Sequence, residues 1–203
     1  MTLDDLHAAL ARAVPPIGWV DEAVRQVRAD PGAIARLFPR AARACGRAPL
    51  ANGWTADEAA RALLLAALPK DRVAEELERL YRYGDANEKR AVLRALPLLP
   101  IGNAGVPLLH DALRTNDTRL VGAALGPYAA HLDAATWRQG VLKCVFMGLP
   151  LSCVDGLDER ADEELRVMLA GLAEERAAAG RPMAADATGL LNRLAGTALR
   201  KEA

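Results

Sequence analysis

Residues 55–100, TADEAARALLLAALPKDRVAEELERLYRYGDANEKRAVLRALPLLP, carry the pattern that decides the fold. Thr55-Ala-Asp-Glu58 has the form of a capping box, in which the threonine oxygen takes a free amide of the first turn and the glutamate reaches back to the cap. Asp85-Ala-Asn-Glu88 repeats that form thirty residues on, and Asn116-Asp117 is a third helix start about one further period along. Helix pairs fall between these starts: 55–68 with 71–83, 86–99 with 104–114, and 117–131 with 133–147. Two short helices cannot bury an apolar face alone, so a repeat of about 31 residues predicts units stacked on their neighbours. No strand alternation and no hairpin turn occurs in the sequence. The expected fold is all-α: antiparallel helix pairs forming a HEAT-like helical array.

On the N-terminal side, Leu3, Leu6, Leu10 and Val14 stand at helical spacing and Pro15-Pro16 stops the run. A second helix is expected from Asp21 to about Ala29, and Asp30-Pro31 starts a third that carries Ile34, Leu37 and Phe38. The run GRAPLANG at 46–53 reads as a loop, which divides a helical cap over 1–50 from a body over 51–203, the two making one compact domain. On the C-terminal side Gly148, Pro150 and Gly156 interrupt helical periodicity. Beyond them a long helix is expected from Asp158 to Ala179, closed by Gly180, and a last one from about Ala184 to Leu199.

The 203 residues suffice for one domain with a substantial core. The 26 basic and 26 acidic residues cancel, so no global field recruits nucleic acid or an anionic membrane. Cys45, Cys144 and Cys153 are odd in number and form no Cys-x-x-Cys pair, against a disulfide framework or a zinc site. A reducing cytoplasm is the expected compartment. The opening MTLDDLHAALARAV is acidic and amphipathic, unlike a signal peptide, and no apolar run reaches membrane-spanning length.

Polar residues set among apolar runs concentrate between Arg114 and Arg160. Arg114, Asn116, Asp117, Tyr128, Trp137, Gln139, Lys143, Asp158 and Arg160 are the candidate ligand or partner surface, because buried polar groups must find partners or face a cavity. Lys143 sits in GVLKCVFMGL; desolvated it would be a nucleophile or base, and snorkelling or paired it would be structural. Trp137, Gly140 and Cys144 share one helical face, read either as core or as a place of close approach. Arg114 to Asp117 is read either as a turn whose Asn or Asp caps the next helix or as an anion site at that helix start. Tyr128 after Gly126-Pro127 ends or kinks its helix and either lines a pocket or plugs the core. The acids from Asp155 to Glu164 lack the spacing of a calcium loop and suit a helix N-terminus. His7, His110 and His131 are scattered, so no metal site, no cofactor, no triad and no phosphate loop is expected.

Trp54 with its following helix, LPLLP at 96–100, RTND at 114–117, GPYAAHL at 126–132, WRQGVLKCVFMG at 137–148, GLDER at 156–160 and AEERAAAGR at 173–181 together resemble the EboA family of bacterial proteins. Where many relatives read Asn-Pro-Tyr this chain has Gly126-Pro127-Tyr128, and it has Gln139-Gly140 where an asparagine is frequent. The resemblance implies a small soluble member of a gene cluster that moves a secondary-metabolite precursor toward the periplasm or cell envelope. Its implied partners are other Ebo-cluster proteins or a pathway metabolite. A non-catalytic helical adaptor or metabolite-binding protein is therefore the leading expectation. Its rivals are a small isomerase or lyase using Lys143 with Asp117, Asp158 or Tyr128, and a purely structural subunit of a complex.

Overall fold

The computed structural model describes residues 1–13 and 18–201, so the expected stop at Pro15-Pro16 lies outside the described residues. Among them the chain is all-α, with no strand. It divides into two compact units, residues 1–114 and 115–203.

The first unit holds α1 (Leu3–Ala13), α2 (Gly18–Ala29), α3 (Ile34–Leu37), α4 (Ala41–Cys45), α5 (Ala56–Ala66), α6 (Lys70–Tyr83), α7 (Ala86–Ala95) and α8 (Val106–Arg114). Its centre is α5, which packs against α1, α2, α4 and α7. Ala56, Ala59, Ala60, Ala62, Leu64 and Leu65 are fully buried, and the small alanines let neighbouring helices approach closely. Each buried leucine contributes about 1.5–3 kcal/mol of transfer free energy. Both capping boxes form. Glu58 accepts from the Thr55 N–H at 3.1 Å, and Asp85 accepts from the Asn87 and Glu88 amides at 2.8 and 2.9 Å. Glu88 in turn accepts from the Asp85 N–H at 3.0 Å.

The second unit holds α9 (Thr118–Ala124), α10 (Ala134–Met147), α11 (Leu157–Arg160), α12 (Glu163–Ala178) and α13 (Ala185–Lys201). Helix α10 packs on α9 and α12, and α12 on α13. The expected helix over 117–131 stops at Ala124 and resumes as a 3-10 turn, Pro127–His131, because Pro127 has no N–H to continue the ladder. The helix expected from Asp158 is two helices. Ala161 and Asp162 are extended, and Asp162 caps α12 by accepting from the Leu165 amide at 3.0 Å. A carboxylate that also binds Arg138 at 2.9 and 3.0 Å wins over continued helix at that point. Gly148 ends α10 in the left-handed region, φ 73°, where a side chain would be strained.

Candidate functional site

Of the residues expected to form a surface, all but Arg114 belong to the second unit, and several have clear structural assignments. Asp117 is the N-cap of α9: its carboxylate accepts from the Arg119 amide at 2.9 Å and grips the Arg119 guanidinium at 2.6 and 3.0 Å. That guanidinium, with the amides of the first turn, holds the Asp117 carboxyl below its ordinary range. Asn116 and Gln139 are exposed, and Lys143 is half-buried on α10. Asp158 faces solvent and pairs with Arg193 at 3.2 Å.

Three expected residues cluster around the turn before α10. Tyr128 is buried, its ring 4.6 Å from that of His131. Arg160 donates to the carbonyls of Ala129 and Leu132 at 2.7 and 2.9 Å, fastening α11 to the turn at 127–132. Its guanidinium lies 4.7 Å from the centroid of the Trp137 ring. Burial lowers the Arg160 pKa, opposed by the charge of Asp133. Trp137, at 1% exposure, shares the inward face of α10 with Gly140, Val141 and Cys144. Its Nε1 has no hydrogen-bond partner among the described residues. Cys144 Sγ lies 3.9 Å from Cys153 Sγ. The contact with Cys153 and burial raise the Cys144 thiol, while the same contact lowers that of Cys153, which therefore ionises first.

Arg114 closes α8 in the first unit and lines a half-open cavity of about 530 Å³ there. The walls come from α6, the start of α7, the turn at 101–105 and α8. Leu77, Ile101 and Leu108 form apolar lining. The Tyr81 hydroxyl donates to Asp111 Oδ2 at 3.0 Å, and Lys89 Nζ stands 5.1 Å from the centroid of the Tyr81 ring. Burial, and then the bond to Asp111, push the Tyr81 phenol well above its ordinary pKa, so it remains a neutral donor. Tyr81, Lys89 and Asp111 were not among the expected site residues. Tyr81 and Asp111 stand thirty residues apart, and the repeat spacing was the only signal that could have paired them.

A buried ionic centre also escaped sequence reading. Arg61, at 1% exposure, donates to Asp57 Oδ2 at 2.6 Å and to the Phe38 carbonyl at 3.1 Å. Glu58, at 2%, binds Arg90 and lies 3.7 Å from Arg94, whose guanidinium stacks 4.5 Å from the Trp54 ring centroid. The visible signal was Asp57 and Arg61 four apart in a helix otherwise of alanine and leucine. Among the described residues no group of three His, Cys, Asp or Glu side chains is set to hold a metal ion. Nor, among the described residues, is any helix long and apolar enough to cross a membrane.

An all-helical protein with arginine-built cores and a mixed-charge cavity is the class these features define. Over residues 35–191 the sequence matches the family model described as Metabolite traffic protein EboA. The chain belongs to the EboA family. No curated protein and no solved structure matches it.

Proposed function

We propose that the chain serves metabolite traffic as a soluble, cytoplasmic, non-catalytic adaptor or metabolite-binding protein whose helix pairs form a HEAT-like scaffold. Membership of the EboA family, over residues 35–191, carries this reading. In this reading the candidate surface is the segment from Asn116 to Arg160 of the second unit, with Tyr128 and Trp137 beneath it. A lyase or isomerase built on Lys143 finds less support, since the acids that would serve it are engaged elsewhere. Asp117 holds Arg119 and the first turn of α9, and Asp158 holds Arg193. The test is co-purification with the products of neighbouring genes, together with thermal shift on adding the intermediates those enzymes make. A retained partner or a raised Tm is the expected result. Neither a partner nor a shift would end the proposal, and borohydride trapping of a carbonyl substrate on Lys143 would replace it with the enzyme reading.

A further inference from the structure

The cavity of the first unit is lined by the carboxylates of Glu75, Glu78 and Asp111 and by the cations of Arg82, Lys89 and Arg114, which differ in how they are partnered. Its carboxylates are already engaged. Glu78 holds Arg82 at 2.5 Å, Asp111 accepts from the Tyr81 hydroxyl at 3.0 Å, and Glu75 lies 3.5 Å from Arg72. Among the described residues, neither Lys89 nor Arg114 has a carboxylate within ion-pair distance, although both line the cavity. Lys89 is steered inward by the face of the Tyr81 ring, 5.1 Å away, and a cation held over an aromatic ring keeps its charge available on its outer side. The apolar lining of Leu77, Ile101 and Leu108 lies in the same space. At about 530 Å³ the cavity falls within the roughly 300–1,000 Å³ usual for small-molecule sites.

We infer that this cavity binds a small amphipathic organic anion, its apolar body against Leu77, Ile101 and Leu108 and its carboxylate or phosphate between Lys89 and Arg114. The two cations supply the attraction, with Arg114 suited to grip two oxygens at once. Glu78 is offset by its pairing with Arg82, while Asp111 keeps its charge, its Oδ2 held on the Tyr81 hydroxyl. Asp111 is the carboxylate through which a cation would compete, and a cationic probe of the same size therefore belongs in the test. The inference deepens the metabolite-binding half of the proposed function but concerns a different place from the segment after Asn116. Its failure would leave the adaptor reading intact, since that reading is tested by partner retention.

The experiment titrates the full chain with benzoate, phenyl phosphate and benzylamine, following the backbone amides of Ile101, Gly105 and Leu108 by NMR. Saturable shifts with either anion, larger than those with benzylamine, are expected. Lys89→Gln and Arg114→Gln should each weaken anion binding about fivefold, as for partly exposed charge pairs, and added salt should weaken it further. Ala104→Trp, at an exposed position on the rim, fills the space with both charges left in place and should abolish binding. Comparison of the two anions tells a carboxylate head from a phosphate head. The inference is overturned if neither anion shifts these amides, if benzylamine shifts them equally, or if the Lys89→Gln/Arg114→Gln double variant binds like the parent while melting normally.

Discussion

In the first unit Arg94 stacks 4.5 Å from the ring centroid of Trp54, and in the second Arg160 stacks 4.7 Å from that of Trp137. Burial lowers the pKa of both guanidinium groups. What surrounds them differs. Arg94 donates to the Asn52 carbonyl at 3.0 Å and lies 3.7 Å from Glu58, a carboxylate at 2% exposure that also binds Arg90. Beside them Arg61 and Asp57 form a fully buried pair. Arg160 instead spends its donors on two neutral carbonyls at the end of a 3-10 turn. One arginine is part of a network of buried full charges, and the other fastens two chain segments through dipoles. In the network, removing one partner strands an opposite charge in the core, whereas carbonyls freed at a half-buried site can be rewetted.

The largest effect is therefore expected at α5. Arg61→Met leaves Asp57 buried with the Thr55 hydroxyl at 2.6 Å and Arg47 at 3.6 Å, and should destabilise the chain by about 3–5 kcal/mol in urea unfolding. Adding Asp57→Leu should recover a good part of that loss. Arg160→Met comes next, at about 2 kcal/mol, for two hydrogen bonds and the contact with Trp137. A larger loss at Arg160 than at Arg61 would break the comparison, because stranded charge would then not be the dominant cost.

Smaller effects sharpen it from the side of the caps. Asp117→Ala should cost about 1 kcal/mol, measured in the same unfolding experiment. The carboxyls of Asp117 and Asp162 are both held below the ordinary value of 3.8, each chiefly by its arginine partner, Arg119 and Arg138. A lowered folded pKa means the stabilisation is fully present above pH 3.8 and disappears as pH falls through the lower, folded value. Melts of the parent and of Asp162→Ala should consequently converge on acidification. Convergence on raising pH would contradict the assignment of these carboxylates.

The smallest expected signal is kinetic and leaves stability untouched. Cys153 is part-exposed and ionises before Cys144, while burial pushes Cys45 up to about 11. A thiol reagent near neutral pH should modify Cys153 quickly and Cys144 and Cys45 only on unfolding. Equal rates at Cys45 and Cys153 would show that the first unit opens as readily as the second.

The helix starts were legible because capping is local. Thr55-x-x-Glu58, Asp85-x-x-Glu88 and Asp117 each satisfy amides within three residues, so the chain carries both partners in one short stretch. The expected continuity at 158–179 failed for a related reason. Helical spacing continued through Ala161 and Asp162, and only the distant Arg138 made it favourable for Asp162 to leave the helix and cap the next one. Of the expected surface, the capping role of the segment at 114–117 was visible in its composition, whereas the meeting of Arg160 with Trp137 and the 127–132 turn was not.

What the sequence determined by itself is the all-α class, the caps at Thr55, Asp85 and Asp117, the break after α10 and the family. These depend on interactions within a turn or two, or on the run of residues as such. Only the tertiary structure decided that Arg61 and Glu58 are buried, that Arg160 reaches two carbonyls about thirty residues back, and that Lys89 and Arg114 line one cavity with Tyr81 and Asp111. The physical reason is the same in each case. A charged side chain is tolerated in the interior or left available at a cavity wall according to the groups that other helices bring to it, and helical spacing reports only the face of its own helix.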